Sequence, residues 1–310
     1  MTSFDVVAWL RRVTGEKKAG HCGALDPDAA GALPVCIGAA TGITGYLTDA
    51  GKAYRVEAVP GLLTDTLDTS GVALKRGPAA MPPRAAFEAA LASFIGPLEQ
   101  FPPMYSAIKV NGQRLYKLAR KGVETEVAPR KIEIYALKTV LYRNDRVIFD
   151  VECAKGTYIR SLCRDIGDAL GMYLCMSFLT RTMSAGLRLE DARTLAEIAA
   201  RARDGTLGEV LIPADAPLGA YHRIDLTCGQ YARYMNGATV RLDEGQTAGF
   251  NENPVNEGAV VRTYYNGGFL GMGGLTPTER LADAQARSGR AGALARNGRV
   301  SLSLKVKKFI

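Results

Sequence analysis

Histidine is almost missing from this chain of 310 residues, which holds two, His21 and His222. The six cysteines, at positions 22, 36, 153, 163, 175 and 228, form no C-x-x-C pair. A zinc centre would have to gather scattered ligands, so no metal is expected. The same scarcity excludes a zinc-dependent base deaminase, which needs an H-x-E and a C-x-x-C. No apolar run reaches bilayer-spanning length, so no membrane partner is expected. The opening residues Met1-Thr2-Ser3-Phe4-Asp5 lack the basic-then-apolar layout of a secretory signal. Unpaired thiols suit a reducing compartment, and the expected location is the cytoplasm. Internal repeats are also missing.

What is present has the composition of a globular protein, 47% hydrophobic and 23% charged, and the chain is long enough to bury a core without disulfides or metals. Lys and Arg outnumber Asp and Glu by 39 to 31, a net +8 with a pI near 9.2. That excess favours a polyanionic partner, nucleic acid or anionic lipid.

Ser3 can cap a helix whose apolar stripe is Phe4, Val7, Leu10 and Val13, ended by Gly15. Pro27 biases Asp26 away from helical geometry, onto a loop or strand end. Residues 28–47 read as a helix broken loosely by Gly and Pro. Tyr54-Arg55-Val56-Glu57-Ala58 alternates as a strand, and residues 64–71 read as a polar loop in which Asp65 and Asp68 cap turns. Residues 83–95 form an amphipathic helix with Phe87, Leu91 and Phe94 inward and Gly96 as its cap. Residues 131–142 and 146–153 form a hairpin, 160–170 a helix, and Thr194-Leu195-Ala196-Glu197 a capping box. Without regular β-α-β alternation, the fold class is α+β with a mixed, largely antiparallel sheet flanked by helices. From Tyr221 the pattern shifts to short strands and Gly/Asn turns, with Tyr264 to Phe269 as the clearest hairpin. Residues 278–298 are rich in Ala, Arg and Gly and read as a mobile insertion before a last strand, Val300 to Val306.

One segment carries more than local structure: Gly20-His21-Cys22-Gly23-Ala24-Leu25-Asp26-Pro27. It resembles the G-H-x-G-x-L-D-P motif of the TruB family, the bacterial tRNA pseudouridine-55 synthases. The resemblance runs on in order through Lys52-Ala53-Tyr54, Gly61 to Thr66 with Asp68, Pro103-Met104-Tyr105-Ser106-Ala107-Ile108-Lys109, Lys155 to Arg160, and Leu179-Thr180-Arg181-Thr182. There are departures. Of the family's K-P-x-G-x-T-S opening only Thr2-Ser3 remain, Ala40-Thr41-Gly42 stands where Ala-Thr-Lys is usual, and Leu179-Thr180-Arg181 stands where Leu-Arg-Arg is.

The resemblance implies a pseudouridine synthase-like catalytic domain over 1–220, an RNA-gripping thumb near 103–122, and a small β-rich PUA-like domain over 221–310. Making pseudouridine breaks the N1–C1′ bond, rotates the uracil and joins C5 to C1′. Positive charge grows on the sugar as in glycoside hydrolysis, so one carboxylate is a suitable partner. By resemblance that carboxylate is Asp26. Attack on the sugar, addition to the base and removal of a sugar proton are all open to it.

Tyr54 matches the family's active-site tyrosine, able to stack on uracil and to help remove the C5 proton. Arg160 matches the arginine that pairs with the carboxylate through a planar fork. Substrate contacts are implied for His21, which helps hold a flipped-out nucleotide, for Leu179 as an apolar wall, and for Lys52, Tyr158, Lys109 and Tyr105. Within the thumb, Lys109, Arg114, Lys117, Arg120 and Lys121 interleave with Tyr105 and Tyr116, charge and aromatic faces that suit folded RNA.

The expected partner is the T stem-loop of tRNA, bound by a monomer without cofactor. An RNA chaperone that grips tRNA without chemistry would account for the thumb but not for Asp26, Tyr54 and Arg160 together. A guide-RNA-dependent synthase would share the catalytic core but lack the thumb.

Overall fold

In the computed structural model the alternation around Tyr54 extends over a whole strand, Lys52–Pro60, whose core-facing residues are Lys52, Tyr54, Val56, Ala58 and Pro60. The structure describes residues 1–110, 112–123, 125, 127–247, 258–277 and 302–309. The Ala/Arg/Gly-rich stretch 278–298 lies outside the described residues. The chain divides into two compact units, one of Met1–Gly15, His21–Val35 and Leu47–Thr206, the other of Glu16–Gly20, Cys36–Tyr46 and Leu207–Ile310. The second unit thus includes two segments before residue 47 besides Leu207–Ile310.

Lys52–Pro60 lies within a seven-stranded sheet. Antiparallel neighbours run outward from it, Val147–Cys153, Arg130–Tyr142 and Gly96–Gln100 on one side, Leu174–Ser184 and Leu187–Arg188 on the other. Ala29–Gly31 adds to Leu174–Ser184 in parallel, which makes the sheet mixed and largely antiparallel. One face buries Val56, Ala58, Phe149, Val151, Ile134 and Leu179 against helices. Ile159–Ala169 contributes Ile159, Leu162, Cys163 and Ile166, a stripe at helical spacing, and Arg84–Ser93 contributes Phe87 and Leu91. This is the α+β architecture read from the sequence.

Several local expectations change. Residues 28–47 are not one helix. Ala29–Gly31 is drawn into the sheet beside Leu179–Arg181, Val35–Ile37 is extended, and only a tight turn Gly38–Ile43 and the helix Thr44–Asp49 are helical. Sheet pairing outweighs the helical propensity of the alanines there. The first helix, Ser3–Thr14, is capped by Thr2 in a capping box with Asp5, and Phe4 is 64% exposed. Ser3 is instead buried, and its Oγ accepts from the Leu25 backbone N–H at 2.9 Å. Phe94, not Gly96, ends the helix Arg84–Ser93, and Gly96 opens the next strand at φ +109°. The last strand is Leu302–Phe309.

The second unit holds a five-stranded sheet in the order Arg223–Asp225, Val260–Tyr265, Gly268–Pro277, Leu302–Phe309, Val240–Arg241. Its core is Ile224, Leu226, Tyr234, Val240, Leu242, Val261, Leu275 and Leu304. The hairpin turns at Asn266 (φ 48°) and Gly267 (φ 77°), successive left-handed residues that match the twist of paired strands.

Gly31 is where the chain that follows the Gly20–Pro27 segment comes up against the sheet. It sits at φ +113°, and a Cβ there would lie 2.3 Å from the carbonyl oxygen of Arg181. We expect Gly31→Ala to combine backbone strain with a backbone clash and to destabilise the protein by at least about 2 kcal/mol in denaturant melts. A change below about 0.5 kcal/mol, the scatter of neutral substitutions, would show that the parallel pairing is not as drawn.

Candidate active site

The helix Ile159–Ala169 begins without a side-chain cap of its own at Tyr158. The buried side chain of Gln100 takes that place. Its Oε1 accepts from Tyr158 N–H at 2.8 Å, and its Nε2 donates to Tyr158 C=O at 3.1 Å. Ser161 Oγ donates to Phe101 C=O at 2.9 Å. The first turn is therefore fixed before Arg160 makes any contact.

The Arg160 guanidinium gathers separate stretches of chain. Nε lies 3.0 Å from Asp26 Oδ2, Nη1 donates to Thr66 C=O at 2.8 Å, and Nη2 donates to Tyr105 C=O at 3.0 Å. Asp68 Oδ2 stands 3.7 Å from Nη1. The arginine side chain is 7% exposed and that of Asp26 is 43% exposed. A buried guanidinium thus holds a carboxylate that stays open on its other side and remains reachable.

The loop that carries Asp26 is held from below. Arg181, 1% exposed, donates from Nε to Ala32 C=O at 2.7 Å and from Nη2 to Gly23 C=O at 3.1 Å, with Nη1 3.4 Å from Ala24 C=O. Tyr54 is the cross-strand partner of Arg181 and lies close enough to feel its charge. Burial pushes the Tyr54 phenol up to about 12, with the charge of Arg181 pulling the other way. Lys52 is buried too. Its Nζ donates to Thr48 C=O at 2.8 Å and Ala50 C=O at 2.9 Å, and loss of solvent, reinforced by Arg181, pulls its pKa down. Its ammonium is engaged by the protein rather than displayed.

The remaining candidates spread outward. His21 is half-buried, and its Nδ1 has no partner among the described residues. Leu179 is buried in the core cluster, in register with Val56 and Ala29. Tyr158 is half-buried at the helix start. Tyr105 Oη donates to Asp65 Oδ2 at 3.1 Å while its carbonyl serves Arg160.

The expected thumb contains a two-residue strand pair, Lys109–Val110 with Gln113–Arg114, and a short helix, Leu115–Ala119. Leu115 is buried beneath it, and Lys109, Arg114, Lys117, Arg120 and Lys121 are exposed. Arg120 lies over the Tyr116 ring, 5.6 Å from its centroid.

Asp65 and Asp68 do cap turns, accepting from Val72 N–H at 2.7 Å and Ser70 N–H at 3.1 Å. The sequence reading missed that Asp68 also faces Arg160, and it missed Gln100, Arg181 and the tether from Ser3. Arg181 was visible inside a recognised block. Gln100, a polar residue ending a strand just before Phe101-Pro102-Pro103, carried no comparable signal. Among the described residues no cluster of three or more His, Cys, Asp or Glu could hold a metal, and no helix is long and apolar enough to cross a membrane.

Residues 11–159 match the family described as TruB family pseudouridylate synthase (N terminal domain). A tRNA pseudouridine synthase B of Alkaliphilus oremlandii is 45% identical over 237 residues, covering 76% of this chain and 78% of that protein. The protein of the same name from Clostridium tetani is 39% identical over 273 residues, covering 88% and 91%. Among solved structures, a Cbf5-Nop10-Gar1 complex superposes with a TM-score of 0.69 at 23% identity, covering 97% of this chain and 81% of that one. An H/ACA RNP bound to a substrate RNA containing 2'-deoxyuridine gives 0.69 at 21% identity, covering 100% and 81%. These structural likenesses concern the fold.

The Asp26–Arg160 contact has a direct consequence. Removing one member of a desolvated pair typically costs about 3–5 kcal/mol, and the openness of Asp26 sets this case at the low end, roughly a hundredfold in rate. Arg160→Ala is expected to lower single-turnover rates on RNA by at least about that factor, with a much smaller effect on binding. Arg160→Lys should recover part of the loss, because an ammonium supplies charge without the planar fork. An Arg160→Ala protein that reacts like the parent would mean that Asp26 does not depend on this partner.

Proposed function

The chain belongs to the TruB family of pseudouridylate synthases and is an isomerase of that class; from this premise we propose that it converts a uridine in the T stem-loop of tRNA to pseudouridine, with Asp26 as the essential carboxylate. The observation that carries this reading is the 3.0 Å pairing of Asp26 with a buried Arg160. An open carboxylate fixed against a cation suits a reaction in which positive charge develops at C1′ and no water has to be activated. Tyr54 supplies a ring and a hydroxyl beside the same loop, in keeping with a part in stacking on the uracil and in the final loss of the C5 proton. Leu179 and Tyr158 suit an apolar wall. His21 suits the space left by a nucleotide extruded from its loop, a step that itself costs a few kcal/mol.

Residues 1–220 form the catalytic domain in this reading, with 103–122 as the RNA-gripping thumb and 221–310 as a PUA-like RNA-binding domain. The exposed cations Lys109, Arg114, Lys117, Arg120 and Lys121 fit phosphate contacts. The protein acts as a monomer in the cytoplasm and uses no resident cofactor, since the isomerisation is redox-neutral.

The test is incubation of the protein with T-arm RNA and mapping of pseudouridine. The parent should place one pseudouridine in the loop. Asp26→Asn should abolish it while tRNA affinity stays within about tenfold, roughly 1.4 kcal/mol. Turnover near the parent's would remove Asp26 from the mechanism. Tight tRNA binding by a parent that forms no pseudouridine would favour an RNA chaperone instead.

A further inference from the structure

We infer that Arg181 is a positioning residue for the reaction, holding the Asp26 loop and the Tyr54 phenol in one fixed relation. Its side chain is the largest of those that are fully buried, and among the described residues no carboxylate pairs with it. A buried guanidinium without a counter-ion is unfavourable unless its donors are satisfied. Here they are distributed with a purpose. Nη2 and Nη1 reach the carbonyls of Gly23 and Ala24, just before Asp26, and Nε reaches that of Ala32, just after it. Tyr54, its cross-strand partner, is among its further polar neighbours, with Cys22 and Lys52.

The backbone repeats the arrangement. Arg181 C=O accepts from Ala32 N–H at 2.8 Å, Arg181 pairs with Gly31 on one side and with Tyr54 on the other. Gly23, beside the guanidinium, sits at φ +105°, a backbone conformation that favours glycine. A Cβ there would lie 3.6 Å from Arg181 Nη1 and 3.5 Å from Lys52 Cε. The loop that bears the carboxylate is thus wrapped around one guanidinium, whose own residue sits opposite Tyr54 in the sheet.

A planar fork with five donors can serve three separate carbonyls at once and stay oriented beside Tyr54, and a lysine ammonium at the end of a flexible stem cannot. Small misplacements of reacting groups are known to lower rates by large factors while ground-state binding persists. Arg181 touches no reacting atom in this account and acts through Asp26 and Tyr54, so the inference rests on the proposed function of those two residues.

The experiment compares the parent, Arg181→Lys and Arg181→Gln by single-turnover pseudouridine formation on T-arm RNA, by affinity for the same RNA, and by the ring resonances of isotopically labelled tyrosine. The Tyr54 signal is identified by its loss in Tyr54→Phe. Arg181→Lys should slow the reaction by at least about tenfold, keep RNA affinity within about threefold, and move the Tyr54 resonance in a folded protein. If Arg181→Lys does not fold, Arg181→Gln, which keeps planar donors without the charge, is held to the same criteria. An unchanged rate, an equal fall in rate and affinity, or an unmoved Tyr54 resonance would overturn the inference. Failure of both variants to fold would do so as well, leaving Arg181 a residue of the fold alone. A parent that forms no pseudouridine would instead overturn the functional reading, so the two failures are distinguishable.

Discussion

A single guanidinium draws the Asp26 loop, the turn at Thr66 to Asp68 and the segment at Tyr105 onto the start of one helix. Residues far apart in the chain meet there because Arg160 is itself immobilised. The stripe Ile159, Leu162, Cys163 and Ile166 fastens its helix to the sheet, and Gln100 clasps the peptide of Tyr158. The hydrogen bonds to Thr66 and Tyr105 matter as much as the ion pair. They satisfy donors that would otherwise be stranded in a buried side chain next to Asp26.

The loop facing Arg160 has its own supports. Ser3 accepts from Leu25 one residue before the carboxylate, and Arg181 binds carbonyls on either side of it. Two buried cations, Lys52 and Arg181, lie near the glycine that opens the loop, each satisfied largely by backbone carbonyls. These polar groups therefore position the chain, and Asp26 itself stays partly exposed. Preorganisation of this kind is what turns a common carboxylate into a specific one.

Much of this could be read in the sequence, and the failures have physical causes. Alternation around Tyr54, the hairpin over 131–153 and the helix over 160–170 are local readings, and they survived because tertiary contacts agree with them. The stretch 28–47 failed because its pairing partner, Leu179–Arg181, lies far along the chain, and a period of two over three residues leaves no trace against helical alanines. Ser3 was read as a cap because Thr2 beside it is the same kind of residue. Only the fold shows which hydroxyl turns inward. Asp26 and Arg160 were legible through the motif, but the links through Asp68 and Gln100 depend on side chains meeting across the fold, which composition and spacing do not encode.

The claim that Arg160 unites these stretches is tested most directly by a double-mutant cycle with Asp68, measured as single-turnover pseudouridine formation on T-arm RNA. If Asp68 acts by holding Arg160, then Asp68→Asn slows the parent but adds little to Arg160→Ala, and the double variant stays within about threefold of Arg160→Ala alone. If the two losses multiply in full, Asp68 and Arg160 act independently, and the account of one guanidinium organising the site is wrong.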